Sequence, residues 1–451
     1  MKKVGLLVVI VTFGYAQAPD TLWTKTYGGI GDDVGYAVLQ TDDGGFIIAG
    51  STTSFGAGGT DAYVIKTDSG GNPIWTQCYG GLEDEELYDI KATLDGHYIL
   101  AGYTKSIGNG GADIWLLEVD SLGDTLRTAT YGGTGDDIAY SVEPAIDSGY
   151  VVTGYVPIGL YNAVYLLETH MEYNPDWMQI YELSGALNSR GNEVLRTSDG
   201  GYIVTADIFN PPLWYGWGVI IKTDVAGDTI WTASPTITLH DGHILQVAGG
   251  YTLGGTTGPD GLQPEIRLVR FNTDGGVLWD KILYDFHDHN PYFSEFASTC
   301  DGGYVVVGNL LYQGSWDRGI ILIKADTNGD TLWHTFFGGA NDDICYSVQQ
   351  TLDNGYIIAG STESFGAGCS DVYLIRTEPD VGVEEKPIVE HVDTYEKLRT
   401  TIFSGPLQLP EGKKCKVFDI TGRLVEPERI QPGIYFIEVD GVVTQKVVKI
   451  R

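Results

Sequence analysis

Apolar and polar residues alternate along most of the chain in short stretches, each closed by a turn, and the same order of stretches recurs. Tyr36 to Thr41 alternates, Asp43-Gly44 follows, and then comes the apolar run Phe46 to Ala49. Period-two alternation buries one face of a strand, whereas a short continuous apolar run marks a strand covered on both faces. Asp-Gly between two such stretches predicts a hairpin, because both residues tolerate positive φ. Equivalent turns are expected at Asp95-Gly96, Asp199-Gly200, Asp241-Gly242 and Asp301-Gly302, with Ser148-Gly149 and Asn354-Gly355 as variants. A third stretch, Ala62 to Thr67, leads through Asp68-Ser69-Gly70-Gly71-Asn72 into a fourth around Trp75, and this turn recurs from Asp224 to Asp228 and from Asp326 to Asp330.

The anchors Trp23, Trp75, Leu126, Trp177, Trp231, Trp279 and Trp333 stand 52, 51, 51, 54, 48 and 54 residues apart. They mark seven copies of a four-strand unit with a period near fifty. Four-stranded antiparallel units repeated radially make a β-propeller, which takes about 4 to 8 blades. The expected fold is therefore all-β, a seven-bladed β-propeller with four-stranded blades over residues 19–378. The first Trp strand, Leu22 to Thr26, precedes every complete copy, and the last copy, ending at Arg376, has no fourth strand. That first strand should complete the last copy, which closes the ring and removes open edges. A linear solenoid would leave it unpaired. The unit Trp23-x-Lys25-Thr26-Tyr27-Gly28-Gly29-x-x-Asp32-Asp33, continued by a turn of the Asp-Gly-Gly kind, resembles the propeller repeats of secreted bacterial surface and exported proteins. That resemblance spans residues 22–377 and speaks to architecture rather than activity.

The two ends read differently. Lys2 and Lys3 precede an apolar run from Val4 to Phe13 and the small-residue site Ala16-Gln17-Ala18, which is the pattern of a secretory signal peptide over residues 1–18. The run is shorter than the roughly 20 apolar residues of a membrane helix, so no transmembrane span is expected. After the last copy, Glu384, Glu385, Pro387, Glu390 and Asp393 suggest an acidic linker over residues 379–403. Residues 405–451 then hold eight Lys/Arg against six Asp/Glu, whereas residues 22–377 hold 14 against 46, a shift that marks a separate module at 404–451. Its pieces Val417-Phe418-Asp419-Ile420-Thr421-Gly422-Arg423, Pro432-Gly433-Ile434-Tyr435-Phe436 and Lys446-Val447-Val448-Lys449-Ile450-Arg451 resemble the type A C-terminal sorting domain of the type IX secretion system. The resemblance implies a small Ig-like β-sandwich with Gly422, Pro432, Gly433, Tyr435, Lys446 and Lys449 in the signal. It also implies the outer-membrane export machinery as a partner and a secreted or cell-surface location beyond the outer membrane. Thr394 to Leu409 match that family less well, and an appended Ig-like module with no sorting role is the competing reading.

Composition narrows the function. Among 451 residues, 60 acidic side chains against 27 basic ones give a net charge of −33, which argues against a nucleic-acid partner because binding phosphate needs a basic surface. Hydrophobic residues make up 43% of the chain, enough for a core despite the charge. The five cysteines, Cys78, Cys300, Cys345, Cys369 and Cys415, have no metal-ligand spacing; Cys345 with Cys369 is the one candidate disulfide, with buried free thiols as the alternative.

Loops carry function in such a fold. Strand direction alternates, so the first and third turns of every copy share one face, while the second loop and the return loop to the next copy share the other. The return loops repeat the acidic pairs Asp32-Asp33, Asp84-Glu85, Asp136-Asp137 and Asp342-Asp343. Oxygen-rich, Gly-rich loops are candidates for Ca²⁺, which takes about 6 to 8 oxygen ligands. Each offers only two carboxylates, however, and the favoured reading is that these side chains, like Asp61, Asp113, Asp317 and Asp371, accept backbone N–H bonds and shape the loop. Irregular loops on the same face hold Trp214, Tyr215, Trp217, His287, His289, Tyr292, Tyr312 and Trp316, aromatic and polar groups suited to a sugar ring or a peptide side chain. His240-Asp241-Gly242-His243 and His287-Asp288-His289 are assigned to opposite faces and so form no joint metal site. No G-x-S-x-G, H-E-x-x-H or Walker motif occurs. The expected function is binding or adhesion of a glycan or protein at the cell surface, without catalysis; the alternative is a secreted propeller hydrolase using the irregular face or the central channel.

Overall fold

The computed structural model of the protein describes residues 17–145, 149–170, 172–183, 186, 188–210, 213–235, 240–257, 264–285, 289–312 and 317–380, and further on 399–403, 407, 409, 414–419, 424–427, 430–439 and 442–449. The expected signal peptide lies, but for its last two residues, outside the described residues, as does most of the expected linker. The chain divides into two units, Met1–Glu384 and Glu385–Arg451.

Among the described residues the first unit is built of seven four-stranded antiparallel sheets. Sheet 1 takes Asp33–Gln40, Phe46–Thr52, Asp61–Thr67 and Pro73–Tyr79 in chain order, and sheets 2 to 6 follow the same plan. Sheet 7 takes Asp343–Gln350, Tyr356–Thr362 and Asp371–Thr377 and is completed by Thr21–Tyr27, with Thr24 opposite Ile375 and Lys25 opposite Leu374. The innermost strand of each sheet packs on the next, and Asp33–Gln40 packs on Asp343–Gln350, so the sheets form a closed ring. This is a β-propeller architecture.

Burial follows the sequence pattern. In sheet 1 the second and third strands are buried at every position, the first alternates, and the fourth is largely exposed. The core lies between sheets, as where Ile357, Ala359, Val372 and Leu374 of sheet 7 meet Val38, Ile48 and Ile65 of sheet 1. Polar side chains also fasten the innermost strands to one another. Backbone N–H groups of Val38, Val142, Val194, Ile244 and Val348 donate to Ser347 Oγ (3.2 Å), Asp89 Oδ2 (3.0 Å), Ser141 Oγ (3.3 Å), Glu193 Oε2 (2.6 Å) and Glu295 Oε2 (2.8 Å), each across one sheet boundary. At the rim, the phenols of Tyr27, Tyr79, Tyr131 and Tyr181 donate to carbonyls of the third turn in the next sheet.

Two expectations change. Asp241-Gly242 is not a turn: it lies inside the strand His240–Val247, and the hairpin closes through Ala248-Gly249, with Gly249 at φ +77° and Val247 opposite Gly250. Here Gly249 supplies the positive φ that Gly242 does not. Cys345 and Cys369 form no disulfide. All five cysteines are free thiols, Cys345 buried and Cys300 and Cys369 exposed; burial pushes the Cys345 thiol up to about 12.

In the second unit the described strands form one five-stranded sheet, in which Arg399–Phe403 runs parallel to Val442–Lys449, and Gly433–Val439, Cys415–Asp419 and Leu424–Val425 follow antiparallel. Val417, Ile430, Tyr435, Ile437 and Val447 make its core. Two of the expected signal residues hold this unit together: Tyr435 Oη donates to the Gln431 carbonyl at 2.9 Å, and Lys449 Nζ to the Ile430 carbonyl at 2.7 Å. Pro432 precedes the strand that Gly433 opens, the Lys446 backbone pairs with Phe436, and Gly422 lies outside the described residues. Among the described residues no helix is long and apolar enough to cross a membrane.

Candidate functional site

All seven innermost strands carry an extra residue against the neighbouring strand: in sheet 5 the shift lies between His240 and His243, and in the other six a single residue is left out at the same place. The neighbouring strand skips one residue between Gly35 and Ala37, Leu87 and Asp89, Ala139 and Ser141, Gly191 and Glu193, Phe293 and Glu295, and Cys345 and Ser347. A residue left out of a ladder bends its strand and re-aims its side chain. Those left out are Tyr36, Tyr88, Tyr140, Asn192, Ser294 and Tyr346, and all six line one cavity of about 610 Å³. Its wall draws on the innermost strand of every sheet, which places it on the ring's axis.

Four of the six are tyrosines in consecutive sheets. Ring centroids lie 5.0 Å apart for Tyr346–Tyr36, 5.0 Å for Tyr36–Tyr88 and 5.1 Å for Tyr88–Tyr140. The Arg190 guanidinium stands 5.4 Å over the Tyr140 ring and within 3.4 Å of Asp207. An aromatic arc thus covers half of the wall, and Asn192, His243, Ser294 and Asn309 face it. Asn309 is held in place, its amide donating to Ser294 Oγ at 2.8 Å and its oxygen accepting from Cys345 N at 2.8 Å. Burial, with the Glu86 carboxylate adding to it, drives the Tyr36 and Tyr88 phenols well above their ordinary range, so both remain neutral hydroxyls. Such a pocket can stack a flat ring and hydrogen-bond its edges.

Below the arc the channel is charged. The residues after the bulges include Asp89, Glu193 and Glu295, and they line a smaller void of about 50 Å³ with Lys91 and His243. Lys91 Nζ lies 2.9 Å from Asp89 Oδ1, and His243 Nδ1 lies 3.5 Å from Glu193 Oε2. Burial first, and then the charges of Asp89 and Glu193, push the Glu143 carboxyl up to about 7 against the pull of Lys91 and Arg196. Burial also raises Glu295.

Of the aromatic residues expected to bind, the structure brings Tyr292 into the cavity, 40% exposed. Trp217 is exposed opposite Ile208, and Tyr312 is half-buried in the ladder opposite His289. Trp214, Tyr215 and His289 lie on strands, but their side chains, like His287 and Trp316 altogether, fall outside the described residues. Tyr36, Tyr88, Tyr140 and Tyr346 were not among the residues expected from the sequence: their recurrence at one place in the repeat was the available signal, and the bulge that turns them inward leaves none.

The acidic pairs act as loop fasteners. Asp33 accepts Gly29 N–H at 2.8 Å and Ser54 Oγ at 2.6 Å, and Asp343 accepts Gly339 N–H at 2.5 Å and Ser364 Oγ at 2.7 Å. Glu85 and Asp137 bind Gly81 and Gly133 N–H in the same way. Asp136 and Asp342 reach back to Ala112 and Arg318 N–H in the preceding sheet, and Asp32 is exposed. Among the described residues none of these pairs gathers a third ligand group.

No protein-family model matches the chain, and no curated protein matches it. Among solved structures, it is similar to a periplasmic gluconolactonase of Pseudomonas aeruginosa, with 11% identity and a TM-score of 0.45 over 74% of this chain and 99% of that one. A protein of unknown function from Dyadobacter fermentans gives 12% and 0.43 over 79% and 99%, and Sqt1 from Chaetomium thermophilum 13% and 0.42 over 76% and 82%.

Proposed function

We propose that the protein is an exported binding module of the cell surface: a seven-bladed propeller, delivered by a type IX sorting domain of Ig-like fold at residues 404–451, that takes a glycan or protein ligand in its tyrosine-lined channel mouth. The observation carrying this reading is the unbroken arc of Tyr346, Tyr36, Tyr88 and Tyr140 in one cavity with polar groups opposite. The terminal motifs support the export route.

The test is binding to an array of glycans and surface proteins. Changing Tyr36 and Tyr88 together to Ala is expected to weaken the captured ligand about 10- to 100-fold. Aromatic contacts contribute about 0.5–1.5 kcal/mol each beyond buried area, and about 1.4 kcal/mol is tenfold. An unchanged affinity in a variant with wild-type thermal stability would move the site elsewhere.

A propeller hydrolase remains the second reading because Glu143, held near 7 beside the channel, suits proton transfer at neutral pH. Turnover abolished by Glu143→Gln would favour it.

A further inference from the structure

The repeats supply an internal comparison at the first turn. In four sheets an Asp of that turn holds a cation from the third strand: Asp43 with Lys66 at 2.9 Å, Asp199 with Lys222 at 3.0 Å, Asp301 with Lys324 at 2.9 Å, and Asp353 with Arg376. These cationic side chains are 2–4% exposed. A glycine two residues after the Asp makes the room: a Cβ on Gly45, Gly201 or Gly303 would meet the Lys Nζ at 2.8, 3.0 or 2.7 Å.

Sheet 2 reverses both halves of this arrangement. The third-strand position is Glu118, opposite Arg127 of the outer strand, and the glycine is His97. Glu118 is 7% exposed and spends Oε2 on the Tyr173 hydroxyl at 2.8 Å. Where those four sheets hold an ammonium or guanidinium, His97 Nδ1 stands 3.3 Å from Asp95 Oδ2 and 3.5 Å from Glu118 Oε1. That nitrogen is buried and makes no hydrogen bond. Sheet 3 is the control: it also has a glutamate here, Glu168, but keeps Gly149 and ties the carboxylate to the Tyr202 hydroxyl at 2.7 Å.

The spacing has a direct meaning. Zinc binds His nitrogen and carboxylate oxygen at about 2.0–2.2 Å, and two such ligands on a tetrahedron are therefore about 3.3–3.6 Å apart. Both nitrogen–oxygen distances fall on that edge, and all three ligand atoms lie within 4.8 Å of one another. Asp95, 66% exposed, leaves the fourth position open to water.

We infer that Asp95, His97 and Glu118 form a site for one divalent transition-metal ion of the zinc type, which takes the place of the cation that four of the other copies supply from their own chain. The site lies at the first turn, stands on residues unrelated to the tyrosine pocket, and is independent of the proposed function.

Untagged full-length protein, stripped with chelator, is titrated with Zn²⁺ by calorimetry, with bound metal counted after desalting. The wild type is expected to take up one more zinc ion than His97→Gly and than the double variant His97→Gly/Glu118→Lys, which recreates the Asp–Lys pair of sheets 1, 4 and 6. Zinc should raise the melting temperature of the wild type and leave that of the double variant unchanged. Should either variant prove unfolded, His97→Gln, which keeps a side chain of similar size, must show the same loss of one ion. Equal zinc uptake by the wild type and a folded variant, or no uptake by the wild type, overturns the assignment.

Discussion

A chain lacking residues 17–27 is expected to lose its folded monomeric state. The deleted strand covers Asp371–Thr377, which is buried along its whole length in the intact ring. Trp23 packs edge-on against Phe46 with centroids 5.9 Å apart, and Tyr27 Oη reaches the Gly71 carbonyl at 2.7 Å, so the strand also joins sheet 7 to sheet 1. Losing the burial of two large aromatics costs about 2–3 kcal/mol each. The ladder bonds of a newly bared strand add to that, against a total stability of about 5–15 kcal/mol. The bared strand is also a template for intermolecular pairing. Size-exclusion chromatography with light scattering should show aggregates or an expanded species. A circular permutant that carries residues 17–27 after Asp380 should run and melt like the wild type. A truncated chain that stays monomeric with an unchanged melting temperature would contradict the closure.

Glu143→Gln should stabilise the protein at alkaline pH and leave it almost unchanged at acid pH. The folded carboxyl holds its proton to about 7, whereas the unfolded one ionises near 4.5. Between these values the folded state binds more protons, so stability falls as pH rises from about 4.5 to about 7 and stays reduced above. The displacement corresponds to at most about 3 kcal/mol. Glutamine pays no such ionisation cost, and urea midpoints of wild type and variant should lie close together at pH 5 and diverge by pH 8, the variant being higher. A gap independent of pH would mean that Glu143 is solvated as an ordinary carboxylate.

The ring was legible because its signals are local and repeated. Trp anchors near every fiftieth residue, apolar runs such as Phe46 to Ala49 and turn residues after each first strand all agree, and the orphan strand at one end implied closure. The site was less so, because its geometry rests on a defect in the ladder. Tyr36 and Tyr88 look like ordinary members of an alternating strand, and only the bulges after Gly35 and Leu87 turn them into the channel. Asp241-Gly242 has the composition of a turn but sits in a strand, since Ala248-Gly249 closes that hairpin instead. Asp95, His97 and Glu118 are not legible as a group in the sequence, because Asp95 and His97 are near neighbours in a turn while Glu118 joins them only through strand pairing. The significance of that trio appears only when the same three places are read across the other copies.

Photo-oxidative dityrosine cross-linking tests the closed channel most directly. Tyr36 and Tyr346 are 310 residues apart in the chain, yet their ring centroids are 5.0 Å apart, the same separation as Tyr36 and Tyr88. Brief irradiation of dilute monomer, followed by peptide mass spectrometry, should yield an intramolecular Tyr36–Tyr346 link alongside Tyr36–Tyr88. Recovery of Tyr36–Tyr88 without any Tyr36–Tyr346 product would mean that the first and last copies do not meet.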